Sequence, residues 1–161
     1  MSGVHTRHAP GADWLKDRPR LLEAAYRVSK RLIAATYPIM RRLSPRGAER
    51  IMIWSEELLK GYAFGCRMCG QCVLHSTGMT CPMTCPKNLR NGPCGGVRQD
   101  GHCEVYPQMP CVWVQAWEGS QNMKGGERIR EVQPPIDHRL KGRSSWLAVV
   151  AAAAPARDAR P

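Results

Sequence analysis

Apolar residues keep a helical rhythm only in the first third of the chain. After Pro19, residues Leu21, Leu22, Ala25, Val28, Leu32 and Ile33 recur at three- and four-residue intervals, with Arg20, Arg27, Lys30 and Arg31 largely on the other side. The pattern predicts an amphipathic helix ending near Pro38, because a proline inside a helix removes one backbone bond and crowds the preceding turn. Ser44-Pro45 predicts a fresh start, a hydroxyl N-cap followed by proline at the first helical position. From there Ile51, Trp54, Leu58 and Leu59 carry an apolar stripe towards Gly61. The two helices, over residues 18–62, are expected to form a hairpin that buries these stripes. Docking of the same face on another protein is the alternative.

Over residues 63–120 the rhythm gives way to Cys, Gly and Pro with no sustained helical or strand period. Residues 121–147 are expected to be an extended docking segment, led by Gln133-Pro134-Pro135 into Ile136-Asp137-His138-Arg139-Leu140. Residues 1–17 read as a flexible arm and 148–161 as a disordered tail. The expected fold class is small α plus irregular and metal-stabilised: an amphipathic helix pair, then a Cys/Gly/Pro-rich cluster-binding domain with little regular secondary structure.

Composition explains why a metal is needed. The 161 residues include one Phe, 15 Gly, 13 Pro and 8 Cys, so a large apolar core is not expected. Such a chain gains its stability from disulfides, a metal or a partner. The start, Met1-Ser2-Gly3-Val4-His5, has no apolar run of the signal-peptide kind, so a cytoplasmic location is expected and metal ligation is favoured over disulfides. The apolar stretch from Trp146 to Ala154 is about half of what spans a bilayer, so no membrane segment is expected. The net charge of +11 is concentrated at the start, where residues 1–60 carry twelve Lys/Arg against six acids. An acidic protein surface fits this charge. Nucleic acid is disfavoured, because no aromatic and basic interleaving accompanies it.

The cysteines run Cys66-x2-Cys69-x2-Cys72, then Cys81-x3-Cys85, then Cys94, Cys103 and Cys111. Three cysteines at two successive two-residue gaps can each reach a different iron of a cubane cluster, with a fourth ligand arriving from further along the chain. Cys81-Pro82 and Cys85-Pro86 echo the cysteine-proline ending of bacterial ferredoxin runs. Eight thiolates suffice for two [4Fe-4S] clusters. Zinc is the competitor, yet its knuckles come as separated pairs and leave Cys72 superfluous. Spacing suggests that Cys66, Cys69 and Cys72 share a distant ligand such as Cys111, leaving Cys81, Cys85, Cys94 and Cys103 for the second site.

Gly92, Gly95 and Gly96 flank Cys94 and are candidate cofactor-binding residues, since glycine lets backbone amides approach cluster sulfur. A tight turn is the simpler reading of the same residues. His75 and His102 lie inside the ligand region and are expected at the surface or behind the ligands. Trp113 and Trp117, one helical turn apart, are expected to shield the clusters from water. No catalytic constellation is found; Ser144-Ser145 has no matched base, and no glycine-rich phosphate loop precedes a helix.

These same residues carry a resemblance. Cys66-Arg-Met-Cys69-Gly-Gln-Cys72, Thr77-Gly78-Met79-Thr80-Cys81-Pro82-Met83, Leu89-Arg90-Asn91-Gly92-Pro93-Cys94-Gly95-Gly96 and Gly101-His102-Cys103-Glu104-Val105 resemble the methylenetetrahydrofolate reductase C-terminal domain family. The resemblance continues through Cys111-Val112-Trp113 and Pro134-Pro135-Ile136-Asp137 to Gly142-Arg143-Ser144-Ser145-Trp146, about residues 55 to 147. It implies the small, metal-containing subunit of a two-subunit methylenetetrahydrofolate reductase, not catalytic alone, that accompanies a flavin-bearing partner subunit. In that setting the clusters pass electrons to or from the partner's flavin, or serve as a structural metal module that stabilises it. The chain is short for such a subunit, with only a basic helical lead-in before the cysteines.

Overall fold

A computed structural model describes residues 18–148. The expected arm over 1–17, and the expected tail beyond residue 148, lie outside the described residues. Two long helices come first, α1 (Pro19–Leu43) and α2 (Pro45–Phe64), and a shorter one, α3 (Val112–Gln121), follows the cysteine-rich stretch. No strand forms among the described residues, although two isolated antiparallel bridges, Val97 to Cys103 and His102 to Pro110, pinch the loop ahead of α3.

The α1/α2 boundary follows local chemistry, with one correction. Helix α1 does not stop near Pro38 but runs through it to Leu43. Ala34 and Pro38 are both exposed, so the carbonyl that the proline cannot reach is open to water, and the lost bond does not strand a buried acceptor. Ser44 then caps α2, its hydroxyl accepting from the Gly47 N–H at 3.3 Å, with Pro45 in the first turn. At the other end Gly65 adopts a left-handed φ of 61°, its N–H reaching Gly61 and the Cys66 N–H reaching Lys60. This left-handed stop turns the chain sharply, and the first residue past it is the first cysteine.

The hairpin does not bury the stripes expected of it. Leu21, Val28, Leu32 and Ile39 on α1, and Ile51, Trp54, Leu58, Leu59 and Tyr62 on α2, are all exposed, Trp54 by 64 %. Of the expected α1 stripe Leu22 alone is buried, and it packs with Pro19 and Tyr26; on α2 the packed face lies elsewhere, at Ala48, Met52, Glu56 and Lys60 at four-residue spacing. They turn towards the cysteine-rich body. Leu22 and Tyr26 join Leu74, Met79 and Cys81 in one apolar cluster, with Phe64, Cys72 and Met83 at its edge. A second cluster gathers Cys111, Trp113 and Ala116 with Val97 and Ile129. Cysteines thus sit in both cores.

Helix α3 is pinned to the cysteine-rich loops by glycine. Gly78 has φ 58°, and a Cβ there would overlap the Ala116 carbonyl oxygen, while one on Gly119 would overlap the Gly78 carbonyl oxygen. The stretch after α3 is not extended throughout as expected. It is broken by 3₁₀ turns at Gly126–Arg130 and His138–Leu140 and is stitched across the cysteine-rich loops. Asn91 and Gln133 exchange side chain-to-backbone bonds of 2.8 and 2.7 Å, Gln71 Oε1 accepts from the Asp137 N–H at 2.7 Å, and the Met68 carbonyl accepts from Gly142 at 2.8 Å. Backbone polar groups of an irregular segment need partners, and here the cysteine-rich loops supply them.

Candidate metal centres

The eight cysteines divide into two sets of four, each lining its own cavity. Cys66, Cys69, Cys72 and Cys81 surround one small cavity, walled also by Leu74, Met83 and Arg90. Cys85, Cys94, Cys103 and Cys111 surround another, walled by Val97, Met109 and Trp113. The expected partition is therefore corrected: Cys81, not Cys111, completes the set begun by Cys66, and Cys111 joins the second. The 3₁₀ turn Pro82–Thr84 is the reason, since it turns the chain between Cys81 and Cys85 and assigns these near neighbours to different cavities.

Each set is shaped by short-range geometry. In the first loop Met68 and Gly70 both have positive φ, 48° and 75°, which curls Cys66, Cys69 and Cys72 around one space. The Met68 N–H donates to Cys66 Sγ at 3.4 Å. In the second, the Cys103 N–H bonds the Met109 carbonyl and the Cys111 N–H the Gly101 carbonyl, both at 2.9 Å, closing the loop onto the start of α3. Cys111 immediately precedes α3.

The two centres differ in polarity. Around the first, burial pushes the Cys66 thiol up to about 11 and the Cys81 thiol up to about 12. The Tyr26 hydroxyl donates to Cys72 Sγ at 3.7 Å, and burial, then the neighbouring Cys72, raises the phenol's own pKa. Glu56 also lines this cavity. It is 1 % exposed, accepts from Lys60 Nζ at 2.7 Å, and caps the helical turn that begins at Ser145, taking the N–H groups of Ser145 and Trp146 at 3.3 Å each together with both serine hydroxyls. Beside the second centre stand the exposed pair Lys87 and Glu104, with Cys94 Sγ at 3.7 Å from the Glu104 carboxylate. An open cleft of about 1830 Å³ touches both sets, at Cys69 and Cys85, and is lined by Arg67, Arg90, His138 and Lys141.

Of the glycines flanking Cys94, Gly96 lines the second cavity; Gly92, with φ 139°, and Gly95 have open space where a Cβ would stand. His75 and His102 line neither cavity. Trp113 lines the second and donates to the Leu89 carbonyl at 3.1 Å, whereas Trp117 is 49 % exposed and shields nothing. Trp146 is buried against the chain's own α2, with Lys60 Nζ 4.6 Å from its ring centroid, so it is an internal anchor and not a free one. Among the described residues no three His, Cys, Asp or Glu side chains converge as closely as a single ion requires; the thiols stand around spaces.

Residues 46–139, which contain all eight cysteines, match the family model described as methylene-tetrahydrofolate reductase C terminal. The chain belongs to this family. No curated protein and no solved structure matches it. The family span takes in Glu56, Lys60 and Arg90 but leaves out Tyr26 and Ser144–Trp146, so the first centre is enclosed partly by residues beyond it. Sequence reasoning missed the parts played by Tyr26, Glu56, Lys60 and Arg90. The acid-base spacing of Glu56 and Lys60 was a visible signal; nothing local marked Tyr26.

Proposed function

We propose that the chain is the accessory subunit of a methylenetetrahydrofolate reductase, binds two [4Fe-4S] clusters, and passes electrons to or from the flavin of a partner subunit. The observation that carries this reading is the separation of eight thiols into two sets of four, each lining a cavity of its own. The donor set fits: four thiolates are the complement of one cubane cluster, and their placement around a space suits a polynuclear core better than a zinc ion, which draws sulfurs to about 2.3 Å. When bound, such clusters supply one-electron transfer. The chain's own residues hold the sulfurs apart, exclude water through Leu74, Met83 and Trp113, and leave the cleft at Cys69 and Cys85 as the route between the centres. No folate or flavin pocket is invoked, and catalysis is assigned to the partner.

The exposed stripes of α1 and α2 are the face proposed for that partner. Leu21, Val28, Leu32, Trp54 and Leu58 are each more than half exposed, and this many large apolar side chains in water on two helices of a small chain support an interaction site. A second reading, a structural metal module without redox turnover, is favoured by one observation: Cys72, Cys81 and Cys111 belong to the apolar clusters, so whatever the thiols bind also holds the fold together. No helix among the described residues is long and apolar enough to cross a membrane. The deciding experiment is co-purification with a flavoprotein, then flavin reduction by an external low-potential donor with and without this chain. Dependence on the chain, lost when a ligand cysteine is replaced while binding persists, supports electron transfer; full flavin reduction without the chain supports the structural module.

A further inference from the structure

Arg90 is 8 % exposed and lines both the first cavity and the cleft. Two of its nitrogens are occupied: Nε donates to the Pro134 carbonyl at 2.9 Å and Nη2 to the Gln71 carbonyl at 3.0 Å. The third, Nη1, is enclosed and has no partner among the described residues. Guanidinium keeps its charge in proteins, and a buried charged donor is costly unless an acceptor meets it. An acceptor in the first cavity would meet this one. Tyr26 does not line that cavity, but its hydroxyl donates to the sulfur of Cys72, which does, at 3.7 Å. The other buried cation nearby, Lys60, is neutralised by Glu56, so Arg90 supplies the uncompensated charge. The second centre has no such pair. Its charged neighbours, Lys87 and Glu104, are 41 % exposed and cancel each other.

We propose that Arg90 and Tyr26 are positioning residues that set the reduction potential of the cluster held by Cys66, Cys69, Cys72 and Cys81. Arg90 acts through its charge and the free Nη1 donor, and Tyr26 through its bond to the Cys72 sulfur. The inference rests on reading the first cavity as a cluster site. Uptake of one electron from a reductant adds one negative charge to the thiolate-bound cluster, and no bond forms or breaks. A buried cation and donors to sulfur favour the more negative form and raise the potential. The first centre is then the easier of the two to reduce, and electrons entering at the second run towards it.

The test is an anaerobic redox titration of the full chain, followed by electron paramagnetic resonance, alongside iron and sulfide analysis. Arg90→Gln should move one of the two midpoints negative by at least tenfold in the reduction equilibrium, about 59 mV for one electron. Tyr26→Phe should move the same midpoint in the same direction by several-fold, and Arg90→Lys should recover most of the Arg90→Gln shift. The other midpoint should stay in place. Iron-loaded variants with both midpoints at the wild-type values would overturn the inference while leaving the cluster reading intact. If Arg90→Gln loses iron because its bonds to Gln71 and Pro134 are gone, Tyr26→Phe, which removes a single hydroxyl, decides alone. A wild-type chain without iron would overturn the reading itself and the inference with it.

Discussion

Replacing Glu56 by Gln removes the charge from the most enclosed ion pair in the molecule. Glu56 and Lys60 are 1 % and 2 % exposed, and the carboxylate takes five hydrogen bonds, from Lys60, from both hydroxyls of Ser144 and Ser145, and from the N–H groups of Ser145 and Trp146. In the variant Lys60 stays buried without its counter-charge, a loss of about 3–5 kcal/mol for a pair of this kind. On a chain of this size that lowers the thermal midpoint on the order of 10 °C. Acid should produce the same effect in the wild type. Burial alone would raise the Glu56 pKa, but the charge of Lys60 and the bonds from Lys60, Ser144 and Ser145 outweigh it and hold it below the ordinary 4.5. A carboxyl lowered on folding contributes fully above its unfolded value of 4.5, and that contribution is lost as pH falls through the lower folded value. Unfolding of the anaerobic protein, followed by tryptophan emission between pH 3 and 7, should therefore show an acid-dependent loss that Glu56→Gln lacks. A Glu56→Gln midpoint within experimental scatter of the wild type at neutral pH would refute the reasoning.

Gly78→Ala should detach α3 from the ligand loops, because the new Cβ overlaps the Ala116 carbonyl and the residue must keep a φ of 58°; loss of the helical signal of α3 and of metal at the second centre would show it. Stripping metal anaerobically with a chelator should abolish cooperative unfolding and the near-ultraviolet tryptophan signal while α1 and α2 keep much of their helicity, since both apolar clusters are small and include cysteines that the metal would fix; a stripped sample that still unfolds cooperatively would count against this. Trp54→Glu, on the exposed stripe of α2, should leave stability within about 0.5 kcal/mol and weaken the flavoprotein complex, which a pull-down at low salt would read.

The sequence made the local signals plain and the long-range ones obscure. Ser44-Pro45 carries its own geometry, and α2 starts where those residues dictate; its stop lies at Gly65, beyond the expected approach to Gly61. The residues around the cysteines carried the family resemblance, and the family is what the match over residues 46–139 shows. Pro38 misled because a proline's cost depends on whether its orphaned carbonyl is buried, and burial is a tertiary fact. The apolar stripes misled for a related reason: periodicity says that a helix has a face to cover but not which neighbour covers it. Cys81 and Cys85, only four residues apart, seemed to belong together, yet a single 3₁₀ turn separates them, and only the folded loops bring Cys81 back to Cys66. The clasp of Ser144 and Ser145 on Glu56 spans 88 and 89 residues, and no local pattern encodes such a pairing.

The most direct test of the account is the metal content of anaerobically purified wild type beside Cys81→Ser and Cys111→Ser. Two four-iron clusters give about eight iron per chain, and each variant should lose about half, with different spectroscopic signals surviving in the two. Cys69→Ser should copy Cys81→Ser, and Cys85→Ser should copy Cys111→Ser. Zinc at one or two per chain in place of iron would contradict the account, and so would the same surviving signal in Cys81→Ser and Cys111→Ser.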